Sequence, residues 1–206
     1  ITHLARKVVY KSNESLTTGN ILAILGSGLV GALAYTFSDT FWFSAVEAEV
    51  YATSSLITAV VFWAILKWEN EADQKHSNRW LILIAYLVGL SLGVHLLNLL
   101  AIPAIVFVFY FRKYKTTPKG ILSAALLSVV ILLSIMYLII TGVVSLGAKF
   151  ELLFVNGFGL PFNSGILFYT LLLLGLIVFG LYYSHKKGKY ILNTAVLCVT
   201  VILIGY

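Results

Sequence analysis

The sequence has little of what a water-soluble or disulfide-stabilised protein needs. Its 206 residues include a single cysteine, Cys198, which excludes an internal disulfide framework and a cysteine-rich metal site. Three prolines and 16 glycines are too few for a collagenous or proline-rich disordered chain. Charged residues make up 11% of the chain, against about 25% in soluble domains. The scarcity of charge therefore excludes an ordinary soluble domain.

Apolar residues, by contrast, are abundant. They make up 60% of the chain, and the mean hydropathy is +0.98. A soluble core of this size could not hide so much apolar surface, so lipid must solvate most of the chain. About 20 apolar residues are needed for one membrane crossing. We predict an all-α, polytopic transmembrane protein with about seven membrane segments, at residues 19–38, 50–68, 80–95, 97–111, 120–147, 165–184 and 191–206.

The run from Trp80 to Phe111 is too long for one crossing. As a straight helix it would measure about 48 Å, whereas the hydrocarbon layer is about 30 Å thick. His95, Asn98 and Pro103 lie near its middle. We therefore predict a short central hairpin whose two segments turn near one membrane face.

The positions of the basic residues agree with this topology. With seven crossings, 13 of the 14 Lys and Arg residues fall on one side, and Lys149 alone falls opposite. The positive-inside rule makes that side cytoplasmic, with Ile1 inside and Tyr206 outside. The net charge of +6 is then explained by residues that flank membrane spans. We predict no nucleic-acid partner.

The chain starts at Ile1 and closes with the apolar segment 191–206, which has no charged flank. We therefore expect residues 1–206 to be part of the transmembrane domain of a longer protein.

The predicted extracytoplasmic side carries acids and aromatic residues. Glu47 and Tyr51 are four residues apart and are predicted to share a helix face. Carboxylates and a phenol at a lipid surface could position a hydroxyl group or hold a cation. The alternative is an interfacial helix with solvated acids and an aromatic belt. The charged residues predicted on this side are Asp39, Glu47, Glu49, Lys149 and Glu151.

His95 is an ionisable residue inside an apolar run, where it is costly unless it meets a partner or a cavity. One interpretation is a neutral imidazole bonded to Asn98 or to a backbone carbonyl. The other is contact with a phosphate or substrate, to which imidazole can donate a proton or a hydrogen bond. The segment 147–165, which contains Asn163, is predicted to be a structured loop that either closes over a lipid-linked substrate or simply connects two helices.

Three segments resemble a known family in the expected order. They are Phe41-Trp-Phe-Ser-Ala-Val-Glu-Ala-Glu-Val-Tyr-Ala, Gly89-Leu-Ser-Leu-Gly-Val-His-Leu-Leu-Asn and Gly159-Leu-Pro-Phe-Asn-Ser-Gly. They are similar to the bacterial membrane proteins of glycosyltransferase family 117, which are themselves similar to the vertebrate protein O-mannosyltransferase that modifies plexin-type receptor domains. The resemblance implies the GT-C architecture, with a site facing away from the cytoplasm and a polyprenyl-phosphate sugar as donor.

The resemblance also implies roles for individual residues. It implies transfer of a mannose-type sugar to Ser or Thr of an acceptor protein, in a bacterial inner membrane. Such transfer needs a base for the hydroxyl group, and a cation, an imidazole or a bound divalent metal for the departing phosphate. We predict that Glu47, Glu49 and His95 are catalytic and approach a common cavity. The predicted substrate-binding residues are Asp39, Tyr51, Asn98, Lys149 and Asn163; no metal-ligand set is predicted.

One family motif is missing. The family carries Asp-Cys-Gly-Glu-Phe in its first outer loop, upstream of the similar part, and this sequence has no such motif. We therefore expect the 206-residue chain alone to be inactive. Two other functions fit the residues. Hairpins and intramembrane polar groups also build the paths of transporters and lipid flippases, and a non-catalytic scaffold subunit would not need the missing loop.

Overall fold

A computed structural model describes residues 1–9, 16–47 and 50–206. In this part of the chain the fold is all-helical, with 85% helix and no strand. Five helices are long and apolar enough to cross a membrane: Thr18–Thr36, Tyr51–Glu71, Leu96–Lys113, Pro118–Gly157 and Ser164–Lys186. Asn78–Leu92 and Tyr190–Gly205 are apolar but shorter. The prediction of an all-α polytopic protein is confirmed, with five helices of spanning length.

The chain divides into two compact units, Ile1–Ser55 and Leu56–Tyr206. The first unit contains α1 (Thr2–Val9), α2 (Thr18–Thr36) and α3 (Asp39–Val46). The Thr17 hydroxyl caps α2 by accepting a hydrogen bond from the Asn20 N–H at 3.2 Å. Ser38 caps α3 in the same way, through the Phe41 N–H at 3.4 Å. Both helices therefore begin where the sequence supplies a hydroxyl group.

The second unit contains the remaining helices, and the boundary between the units falls within α4 (Tyr51–Glu71). Its core consists mainly of Val61, Ile65, Trp68, Val88 and Ile102 with their apolar neighbours. After α4 the order is α5 (Asn78–Leu92), a 3-10 helix (Leu96–Leu100), α6 (Ala101–Lys113), α7 (Pro118–Leu133), a π-helix (Ser134–Val143), α8 (Val144–Leu152), a second π-helix (Leu153–Gly157), α9 (Ser164–Lys186) and α10 (Tyr190–Gly205).

Helices α5 and α6 form an antiparallel pair that begins and ends beside the last turn of α4. The Glu71 carboxylate accepts hydrogen bonds from Arg79 at 2.8 Å and from the Trp80 indole at 2.7 Å, both at the start of α5. At the end of α6, the Arg112 guanidinium donates to the Glu69 carbonyl at 3.0 Å. Both ends therefore lie beside the last turn of α4, as the predicted hairpin requires.

Helix α10 packs alongside α5 in the same direction. Asn78 donates to Thr194 at 3.0 Å near the start of both helices. Near their ends, a Cβ on Gly89 would come within 2.6 Å of the Ile202 carbonyl oxygen, so Gly89 permits the close approach of the two helices. These contacts gather three groups of basic residues at one end of the second unit: 67–79, 112–119 and 186–189.

The helices from α7 to the second π-helix form one continuous rod, Pro118–Gly157, of 40 residues. Its length of about 60 Å is twice the thickness of the hydrocarbon layer. The prediction that residues 147–165 form a loop is wrong for residues 147–157, which are helical. No proline interrupts the helix before Pro161, and a Cβ on Gly147 would lie 3.4 Å from the Tyr169 ring of α9. The connection to α9 is residues 158–163, where Gly159 and Asn163 have left-handed backbones.

Candidate functional site

The break between α5 and α6 is the most polar part of the central hairpin. Helix α5 ends at Leu92, and the N–H of His95 donates to the Ser91 carbonyl at 2.7 Å. Proline is tolerated only in the first turn of a helix, because it lacks an N–H and clashes with the carbonyl four residues earlier. Pro103 therefore lies in the first turn of α6, which begins at Ala101. The break lies at the end of α5 and α6 opposite the basic residues.

His95 opens the 3-10 helix within this break. Its backbone is extended (φ −162°), and its Nδ1 accepts a hydrogen bond from the Leu97 N–H at 3.0 Å. The interpretation that His95 bonds to Asn98 or to a backbone carbonyl stays a prediction. An imidazole that accepts at Nδ1 carries its proton on Nε2 in the neutral form. The histidine is partly buried and held in a defined orientation.

Asn98 is the most deeply buried polar side chain of the break, with 1% of its surface exposed. Its Oδ1 accepts a hydrogen bond from the Thr58 hydroxyl of α4. Its Nδ2 has no hydrogen-bond partner among the residues that the structure describes. A buried donor left without a partner costs about 1–3 kcal/mol. This amide is therefore a ready donor for a ligand or a water molecule.

The two acids of the first unit that the structure describes, Asp39 and Glu47, lie at the ends of α3. Asp39 is the first residue of that helix, where a carboxylate is favoured by the helix dipole. Glu47 ends it with an extended backbone, and Tyr51 starts α4. The prediction that Glu47 and Tyr51 share one helix face is therefore wrong, because α3 stops before Glu47. Glu49 lies outside the described residues.

Lys149 and Asn163 lie near the connection between α8 and α9. Lys149 is exposed in the last turn of α8. The Glu151 carboxylate accepts hydrogen bonds from the Asn163 N–H at 2.6 Å and the Ile166 N–H at 3.0 Å. Glu151 therefore caps the start of α9 from the neighbouring helix, a role that sequence reasoning missed.

The structure brings His95 and Asn98 together in one short segment of the second unit, whereas Asp39, Glu47 and Tyr51 belong to the first unit. A common cavity for Glu47, Glu49 and His95 stays a prediction. Thr58, the partner of Asn98, was also missed by sequence reasoning, because Thr53, Ser54 and Ser55 precede it in the same helix and nothing in the sequence singles it out. Among the described residues, no three His, Cys, Asp or Glu side chains cluster as metal ligands.

The fold defines a polytopic α-helical membrane protein. Residues 1–118, more than half of the chain, match the model of the protein O-mannosyl-transferase TMEM260 N-terminal domain, and the chain belongs to that family. Neither a curated protein nor a solved structure matches the chain. The matching part includes the helix break and the acids around α3, whereas Lys149 and Asn163 lie beyond it. The family and the apolar helices together identify an integral membrane protein of the glycosyltransferase class.

Proposed function

We propose that this chain forms part of a GT-C membrane enzyme, of the kind grouped as glycosyltransferase family 117. It transfers a mannose-type sugar from a polyprenyl phosphate to Ser or Thr of an acceptor protein. Membership of the TMEM260 N-terminal domain family supports the reaction class. The observation that carries the site is the helix break, where the buried Nδ2 of Asn98 lies three residues from His95 in an apolar hairpin.

The topology that we propose has seven membrane segments, the domain being the membrane-embedded part of a longer protein. The end that gathers the basic residues faces the cytoplasm, and the helix break faces outward, in a bacterial inner membrane. The positive-inside rule supports this orientation because the contacts of α4, α5, α6 and α10 bring the basic groups to one end.

The chemistry that we propose needs a carboxylate base and hydrogen-bond donors to the leaving phosphate. A carboxylate, Glu47 or Glu49, takes the proton of the acceptor hydroxyl group. At the same time the hydroxyl oxygen bonds to the anomeric carbon of the sugar. The bond from that carbon to the polyprenyl phosphate breaks, and the phosphate leaves with the electron pair. His95 and Asn98 donate hydrogen bonds to the phosphate oxygens, on which negative charge develops. Asp39, Tyr51, Lys149 and Asn163 contact sugar or acceptor.

The test is a transfer assay with the full-length protein, a polyprenyl-phosphate mannose donor and a Ser/Thr-containing acceptor. The change His95→Ala should lower turnover by about 100-fold, as the loss of one preorganised donor does. His185→Ala is the matched control, because His185 is an exposed histidine at the other end of the second unit, in the last turn of α9. If folded His95→Ala protein keeps more than half of the turnover, the proposed site is wrong.

The orientation is tested separately by cysteine labelling. In the 206-residue chain the single cysteine, Cys198, is replaced by serine, and one cysteine is placed at Lys115 or at Lys149. A membrane-impermeant maleimide applied from outside should label position 149 and spare position 115 until the membrane is opened. Equal labelling of both positions from outside would contradict the seven-segment topology.

A further inference from the structure

A groove between α6 and α7 contains a cavity that the transferase reaction does not use. Its volume is about 300 Å³, at the lower limit of the range of roughly 300–1,000 Å³ found for small-molecule sites. The side chains around it are almost wholly apolar, and Ser123 and two tyrosines contribute its few polar atoms. The apolar lining residues are Val106, Phe109, Ala124 and Leu127.

The turn 114–117 closes this groove at one end. The Tyr110 hydroxyl accepts a hydrogen bond from the Thr117 N–H at 3.0 Å and lies 3.1 Å from the Lys115 carbonyl oxygen, to which it donates. The rings of Tyr110 and Tyr114 stack with centroids 6.0 Å apart. A Cβ on Gly120 would overlap the Tyr110 hydroxyl, so this glycine allows the ring to lie across the start of α7. The mouth of the groove is thus built from aromatic rings.

The groove lies at the level in the membrane where lipid headgroups meet the first part of the acyl chains. Helix α6 ends at Lys113 and α7 begins at Pro118, so the turn between them lies where two membrane helices leave the apolar layer. Leu127 is nine residues beyond Pro118, which places it about 13 Å deeper. Tyrosine rings are enriched at this interfacial level. The cavity therefore extends from the headgroup level into the acyl-chain region.

Of the four basic residues beside the groove, two form ion pairs with an acid among the described residues and two do not. Arg112 and Lys113 both contact the Asp73 carboxylate, the latter at 3.3 Å. Lys115 and Lys119, adjacent in sequence to the lining residues Tyr114 and Gly120, form no ion pair with any acid that the structure describes. Both side chains are exposed. An apolar cavity with two unpaired cations at its interfacial end matches a ligand that has a hydrophobic chain and an anionic head.

We propose that this groove binds an anionic phospholipid, with one acyl chain in the cavity between α6 and α7 and the phosphate beside Lys115 and Lys119. Basic pockets between membrane helices bind anionic lipid headgroups by this combination of contacts. The proposal does not depend on the transferase reaction, because His95 and Asn98 lie beside the start of α6 and the groove lies towards its end. A bound lipid would fill the cavity, and its phosphate would offset the charge of the turn.

The test measures lipid binding to the full-length protein in a mild nonionic detergent. Phosphatidylglycerol and phosphatidylcholine are titrated in parallel, and retained lipid is counted by native mass spectrometry. The protein should retain phosphatidylglycerol in preference to phosphatidylcholine. The double change Lys115→Ala/Lys119→Ala should weaken phosphatidylglycerol binding by about 30-fold, since each basic residue near an anionic headgroup contributes a factor of about five. Equal retention of the two lipids by the unmodified protein would overturn the proposal.

Two further variants separate the headgroup from the chain. Lys186→Ala/Lys187→Ala removes the same charge from the turn before α10 and should leave phosphatidylglycerol binding unchanged. Ser123→Phe places a ring in the cavity and should abolish binding, with the unfolding temperature of the lipid-free protein unchanged. Loss of binding in the control pair, or full binding in folded Ser123→Phe, would overturn the proposal. Displacement of the lipid by inorganic phosphate at equal ionic strength would also overturn it, because the site would then bind a free anion.

Discussion

Two apolar stretches of the second unit have opposite structures. Residues 78–113 are divided into α5, a 3-10 helix and α6, whereas Pro118–Gly157 continues as one rod of 40 residues. The divided stretch contains His95, Asn98 and Pro103 near its middle, and residues 120–148 contain neither proline nor a charged residue. Glycine is present in both stretches and does not distinguish them. In this protein the helix break therefore coincides with a proline and with polar side chains in the apolar run.

The continuous rod contains irregular helical turns but is not interrupted. Between Ser134 and Val143 it widens to a π-helix, where the Thr141 hydroxyl donates to the Met136 carbonyl at 3.1 Å. The Tyr206 hydroxyl reaches the Ile140 carbonyl at 3.5 Å. Such wide turns keep most backbone groups paired, which an apolar environment demands. The divided stretch instead has its polar side chains, His95 and Asn98, at the break between the helices, and that break is the candidate site.

The largest effect is expected from a proline in the rod. Ala148→Pro in α8 should destabilise the protein by about 3 kcal/mol or more, because proline removes a hydrogen bond and clashes with the preceding turn. Ala148 is exposed, so its own side chain contributes little. Unfolding by SDS in mixed micelles measures the difference, with Ala148→Ser as the control. If Ala148→Pro is as stable as Ala148→Ser, the rod tolerates a helix break, and its difference from the broken segment 93–100 has no energetic basis.

The next effect concerns the packing of the rod on α9. A Cβ on Gly165 would lie 2.6 Å from the Cα of Glu151, so Gly165→Ala should cost about 2–3 kcal/mol by overpacking. Gly175 lies in the same helix with nothing within 4 Å of its Cβ position. Gly175→Ala should therefore stabilise the protein by up to about 1 kcal/mol, through helix propensity. The same SDS titration measures both variants, and equal changes in the two would show that α9 does not pack as described.

The hydrogen bond that joins α4 to the helix break gives a smaller effect. Thr58→Val keeps the shape of the side chain but leaves the buried Asn98 carbonyl without its donor, at a cost of about 1–2 kcal/mol. Combining it with Asn98→Leu should cost less than the sum of the two single changes, because each removes the same interaction. Additive costs in this double-mutant cycle would contradict the bond between them.

Much of the fold followed from hydropathy and charge. Apolar runs of spanning length predicted helices in the correct places, and His95, Asn98 and Pro103 predicted the central break. The end of the rod was misjudged because the loop indicated by the glycines, proline and aromatic residues of 156–165 was extended back to Gly147, which is buried where α9 approaches closely. Whether a glycine ends a helix or permits packing depends on the neighbouring helix, which a single sequence does not reveal.

The candidate site was less predictable. A histidine and an asparagine in an apolar run stand out, so the sequence indicated the break. Thr58 lies 40 residues before Asn98, and a threonine hydroxyl in a helix ordinarily bonds to its own backbone, as Thr170 does at 2.8 Å. The partner of Asn98 is therefore fixed by tertiary packing. Glu47 and Tyr51 were assigned to one helix because their spacing fits a helix turn, and spacing carries no information on where α3 stops.

The smallest effect is expected at the basic end, where Asp73 lies between two cations. Hydrogen bonds from Lys113 and Arg112 lower the pKa of the Asp73 carboxyl below its ordinary value. Because the carboxyl has a lower pKa in the folded protein than in the unfolded chain, its contribution to stability is complete above the ordinary aspartate pKa of about 3.9. The contribution is lost as the pH falls through the lower, folded value. The residue is exposed, so the change should be small. The unfolding temperature of Asp73→Asn, measured from pH 7 to pH 3, should lie slightly below that of the unmodified protein at neutral pH and approach it in acid. A constant difference between the two proteins over this range would show that the pairing of Asp73 contributes nothing to stability.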